Sequence, residues 1–173
     1  GPAGGVQDVL RKTRDRLAIL GLAPADAALA AQVQAAFDCA GVGVWDRAGA
    51  PVFLEPIATL NAAPVLLDLP TTADIATVAV SGAVARRLWQ AMVVLLQRHP
   101  GLTLVVGDGT KLFVEAIDLA AFERQGGHVR ALRAIRMAGI TLNPFSPFGG
   151  SFDAHAFLTD ARSALPDYTV SDV

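Results

Sequence analysis

Cysteine is nearly absent from the 173-residue chain, in which Cys39 is the only one. A lone cysteine excludes an internal disulfide and a cysteine-rich zinc site, and within "AAFDCAG" it reads as a small buried hydrophobe rather than a nucleophile. Histidine is almost as sparse. His99, His128 and His155 lack the H-x-x-x-H or H-x-H spacing that sets two ligands on one helix face or strand side, so they give no metal site. Lysine is confined to Lys12 and Lys111. Neither follows a glycine, and G-x-x-x-x-G-K-[ST] is missing, so the chain has no phosphate cradle of its own. G-x-S-x-G is missing too, which leaves Ser81 and Ser146 without a nucleophile elbow. The formal charge of −2 supplies no basic excess to draw nucleic acid or an anionic membrane.

What the chain has in abundance is apolar surface, with 53% hydrophobic residues. That composition favours a packed body over disorder, and a chain of this length buries roughly 70% of its unfolded surface in one core. The apolar stretch from Ile75 to Leu96 is too polar at its middle to enter a bilayer. Arg86 and Arg87 fall there, and each would cost about 2.5–3.5 kcal/mol. With no disulfide and no signal peptide, the expected location is cytoplasmic, without membrane insertion. Residues 1–4 read as a tag remnant.

Residues 5–41 form a helical pair: an amphipathic helix to Leu20 closed by Gly21, then an Ala-rich helix from Pro24 to Gly41. From Val42, β-branched residues broken by Gly49, Pro51, Pro56 and Pro64 indicate short strands. "VLLDLP" (65–70) reads as a buried strand, Ile75 to Arg98 as a long helix, and "LTLVV" (102–106) as a second buried strand. Helices over 112–125 and 128–139, split by Gly126 and Gly127, lead to a third strand, "ITLNPF" (140–145). Strands without alternation, separated by helices, predict an α/β domain over 5–148 with a mostly parallel sheet covered on both faces. A final helix (153–164) and an extended tail follow in 149–173.

"PVLLDLP", a long helix, "LTLVVGDGTKLF" and "HVRALRAIRMAGITLNPFSP" together resemble the later half of RecA-like motor ATPases of the conjugative-transfer and HerA/FtsK type. The resemblance implies a RecA-like α/β domain serving secretion or DNA transfer, with Asp108 near the place where that family's Walker B motif holds Mg²⁺ and polarises water. The chain departs from the pattern. Gly109 stands where the family has the second carboxylate, and Asn143 and Ser146 replace the polar sensor pair. The implied protein is a degenerate or truncated copy, and it would take Mg-nucleotide only if sequence outside this chain supplied a P-loop.

Three groups of residues are candidates for a site. Asp108, between Gly107 and Gly109 at a strand's C-terminal end, sits where α/β sheets bind ligands, and Asp68 at the end of the first strand would share that edge and could hold a metal. The alternative readings are a tight "GDGT" turn for Asp108 and a capping role for Asp68. Arg130, Arg133 and Arg136, with His128, would line one helix face to clasp phosphates, nucleic acid locally, or an acidic partner, or else form a solvated face. Phe145, Phe148 and Phe152 offer a docking loop, or pack back on the sheet. With no intact catalytic motif, the expected function is a non-catalytic module that binds a protein partner or forms a homo-oligomer. The alternatives are a motor ATPase whose P-loop lies elsewhere and, on "GVGVWDRAGAPVFLEP", a small-ligand sensor.

Overall fold

A computed structural model describes residues 5–37, 41–145 and 149–173. The chain divides into two compact units, Ala18–Ile135 and Gly1–Leu17 with Arg136–Val173. The larger unit receives the last turn of helix α1 (Val6–Leu20) and then contains α2 (Ala27–Phe37), β1 (Val42–Asp46), β2 (Pro51–Glu55), α3 (Ala62–Leu67), β3 (Ile75–Val80), α4 (Arg86–Arg98), β4 (Thr103–Val106), α5 (Ala116–Arg124) and β5 (His128–Ala131).

These strands make one five-stranded sheet in the order β2-β1-β3-β4-β5. β1 runs antiparallel to both β2 and β3, while β3, β4 and β5 are parallel. Alternation of side chains along each strand sorts the core into two layers. On one face Val78, Val80, Leu104, Val106, Val129 and Ala131 meet Leu66 of α3, Leu88, Trp89, Met92 and Leu95 of α4, and Leu119 and Phe122 of α5. On the other, Trp45, Ala79 and Val105 meet Val33 and Ala36 of α2. The central strands β3 and β4 are apolar at nearly every step because both their faces are covered. The expectation of an α/β chain holds, but the sheet is mixed rather than mostly parallel, because the "VGVWDRAGAPVFLE" hairpin joins it through β1, which lies antiparallel between β2 and β3.

Three predicted elements fold differently. The first three residues of "VLLDLP" end helix α3, in which Pro64 occupies the first turn, where its missing N–H is no loss, and the last two lie beyond its cap. Asp68 is therefore the C-cap of a helix, not the end of a strand. The predicted helix from Ile75 begins instead as β3, since Ile75, Thr77, Val78 and Val80 are β-branched; it ends at Ser81-Gly82, where Gly82 has φ +138. The predicted Arg-rich helix over 128–139 is β5 followed by irregular chain. The His128 N–H bonds to the Leu102 carbonyl at 2.9 Å and carries the segment into the ladder beside β4.

The smaller unit holds most of α1, β6 (Ile140–Leu142), α6 (Ala154–Ala164) and β7 (Val170–Asp172). β6 and β7 pair in parallel as a separate two-stranded sheet, so the predicted third strand does not join the main one. Asp153 caps α6 through the Ala156 N–H at 2.8 Å. Phe152 packs on Phe157 of α6 with ring centroids 5.2 Å apart. Among the described residues no helix is long and apolar enough to cross a membrane.

Candidate functional site

The segment that follows β4, Gly107 to Glu115, lies at the C-terminal ends of the parallel strands, where sheets of this kind bind their ligands. Its backbone is held at several points. The Gly107 carbonyl accepts the Arg133 N–H at 2.9 Å. Asp108 Oδ1 accepts both the N–H of Thr110, at 2.8 Å, and the Thr110 hydroxyl, capping a 3-10 turn over Gly109–Lys111. Gly109 is buried against the end of α1, where a Cβ would lie 2.5 Å from the Ile19 carbonyl oxygen and 2.7 Å from Leu20 Cα. Leu112 is fully buried and forms a bridge with Val84. Val84 donates to the Lys111 carbonyl at 2.7 Å and accepts from the Phe113 N–H at 2.9 Å. Glu115 and Asp118 then close the loop with a capping box on α5.

The loop and the first turn of α5 that follows it each carry one large apolar side chain exposed to solvent. Phe113 is 56% exposed and Ile117 is 68% exposed. Fully burying a side chain of this kind is worth about 1.5–3 kcal/mol, so the part of each that still faces water represents a fraction of that.

The acid between the two glycines is a turn residue. The Thr110 hydroxyl, helped by the Thr110 N–H and the Lys111 and Arg133 charges, holds the Asp108 carboxyl below its ordinary pKa, against a smaller opposing effect of burial. A depressed carboxylate contributes stability that is present above the unfolded value near 3.9 and is lost as pH falls through the folded one. Asp108→Ala should cost about 1 kcal/mol in urea unfolding at neutral pH, the usual cost of a lost cap, while Asp108→Asn, which keeps the acceptor, should cost less than half as much. Equal stability for Asp108→Ala and wild type would remove the capping role.

The other predicted residues are dispersed. Asp68 lies at the end of α3, on a groove of about 410 Å³ lined with Val52, Phe53, Pro64, Val65, Leu69 and Pro70. Asp68 is not on the strand edge that carries Asp108. No group of three or more His, Cys, Asp or Glu side chains among the described residues is arranged to hold a metal. His128 and Arg130 share a face of β5 and line a cleft of about 380 Å³ with Pro24, Asp26, Leu29 and Thr103, in which Asp26 caps α2 through the Leu29 N–H. The Arg130 Nη1 donates to the Val129 carbonyl. Arg133 instead lies beyond the other end of β5, at the Asp108 turn, and Arg136 belongs to the smaller unit, so the three arginines form no common helix face. Phe145 is 69% exposed in the smaller unit, its N–H bound to Asn143 Oδ1; Phe148, like Cys39 and Ser146, lies outside the described residues.

Phe113 and Ile117 both fall within 112–125, for which the sequence predicts one helix and no site. The available signal was Glu115 followed three residues on by Asp118, an acidic pair that marks a helix start and leaves "KLFV" outside it. No model of a known protein family matches the chain, and comparison with curated proteins gives no match.

Proposed function

We propose that the chain is a non-catalytic α/β interaction module that docks a protein partner on the C-terminal edge of β3 and β4, with Phe113 and Ile117 as anchors. The observation that carries this reading is the exposure of Phe113, on a loop whose backbone is held by Val84, Gly107 and the Asp108 cap, and of Ile117, in the first turn of α5 behind its capping box. Single exposed apolar residues are ordinary. An exposed Phe on a fastened loop and an exposed Ile in the first turn of the helix it leads into, at the ligand-binding edge of a sheet, are less so, since a preformed surface loses little entropy on binding and aromatic anchors dominate interface energetics. The carboxylate at that edge is engaged by its own turn, which favours a docking role over a catalytic one.

A photo-crosslinking phenylalanine analogue at position 113 or 117, irradiated in extract of the source cell, should give a discrete adduct. The same analogue at position 60, where Leu60 is 76% exposed, should not. Adducts with the chain itself identify a homo-oligomer and adducts of another mass a different partner. Equal labelling at all three positions would defeat the proposal.

A further inference from the structure

The same edge carries charges that specify what kind of partner it fits. Helix α4 starts directly after Val84, the residue whose backbone is bonded to Lys111 and Phe113. Its N-cap is Ala85, with no side-chain cap, and its first two residues are Arg86 and Arg87, both exposed. That is the reverse of the usual arrangement, because a helix N-terminus carries a partial positive charge and favours acidic side chains. Lys111, within the loop, and Arg133, whose N–H bonds to the Gly107 carbonyl, are also exposed. None of these four cations takes part in an ion pair among the described residues. The three carboxylates of the edge are occupied differently: Asp108 caps the turn, and Glu115 and Asp118 form the α5 capping box. Cations left outward and acids turned onto backbone N–H groups leave the rim of the apolar patch open to negative charge.

We infer that the partner presents an acidic, amphipathic protein segment, whose apolar residues cover Phe113 and Ile117 and whose carboxylates meet Arg86, Arg87, Lys111 and Arg133. The inference rests on the docking reading above. A protein is favoured over nucleic acid because Ile117 offers no face on which a base stacks, and because single-stranded nucleic acid is bound on rows of aromatic side chains. Arginine is suited to the task, since its guanidinium fork grips carboxylates bidentately.

The test uses two fluorescent amphipathic peptides with one shared Leu/Phe face, flanked by Glu in the first and Lys in the second, together with a single-stranded oligonucleotide. The acidic peptide should bind the full chain at least tenfold more tightly than the basic one at low salt. Screening shrinks with the Debye length, so the difference should fall as salt rises. Arg86→Ser/Arg87→Ser should erase most of it without lowering Tm, since removal of charges unfavourable to the helix cannot unfold it. Equal binding of the two peptides, lost in Phe113→Ser/Ile117→Ser, would overturn the acidic specificity and leave the docking surface standing. Binding of neither peptide would overturn both, and tighter binding of the oligonucleotide would overturn the choice of a protein partner.

Discussion

Phe122→Ala is expected to destabilise the protein by about 3–5 kcal/mol, the range for a fully buried aromatic truncated to a methyl group. Phe122 is 1% exposed, and its ring centroid lies 5.0 Å from that of Trp89 with the planes tilted by 46°. Such an aromatic pair contributes about 0.5–1.5 kcal/mol beyond the area it buries. The backbone is also shaped around this ring, because a Cβ on Gly127 would come within 2.3 Å of Phe122 Cε1. The cavity left by the substitution would lie between α5, α4 and the turn into β5, elements held by the sheet on one side, so it cannot collapse easily. Against a typical total stability of about 5–15 kcal/mol, the loss is a large fraction. Urea unfolding followed by Trp fluorescence measures it, with Phe122→Leu as the milder comparison. A cost below about 1 kcal/mol would mean that the α4–α5 layer is not packed as described.

Gly109→Ala should be nearly as damaging, at about 3 kcal/mol, for a different reason. The added methyl group would sit 2.5 Å from the Ile19 carbonyl oxygen and 2.7 Å from Leu20 Cα. Both are backbone atoms of α1, so no side-chain rotation relieves the overlap, and overpacking of this kind costs about 1–3 kcal/mol or more. The loop carrying Phe113 must then shift, so the variant should weaken docking as well as stability. Gly107→Ala is the control, since its Cβ would meet only the Lys111 Cγ at an ordinary 3.9 Å. Comparable losses for the two glycines would contradict the account of the turn.

The two glycines of "GDGT" thus differ in kind, and this separation was beyond the reach of sequence. The stretch itself was legible. "LTLVV" reads as a buried strand and folds as β4, and the turn that ends it is the "GDGT" capping turn. Helix α1, the Ala-rich α2 and the final α6 were legible too, because each carries a helical pattern with a cap or a terminating residue. The errors cluster where burial removes periodicity. "IATVAV" is a short apolar run covered on both faces and carries neither the helical nor the strand repeat, while "VLLDLP" holds only the last half of the six-residue α3, too short for a repeat to show. Arg130, Arg133 and Arg136 recur every third residue, yet strand pairing with β4 overrides that local pattern. The resemblance to motor ATPases leaned on the first and last of these segments. The docking residues were hidden for a further reason. Nothing in "KLFVEA" tells that Leu112 is buried while Phe113 faces solvent, because that difference arises from the bridge to Val84; Ile117 is exposed because α5 turns Leu119 and Phe122 to the core instead.

The central claim, that this edge is a preformed protein-docking surface, is tested most directly by the affinity of Phe113→Ser/Ile117→Ser for the partner captured at position 113. The account predicts at least a tenfold weaker Kd for the double variant, with Tm unchanged because neither side chain belongs to the core. Wild-type affinity in a folded double variant would contradict it.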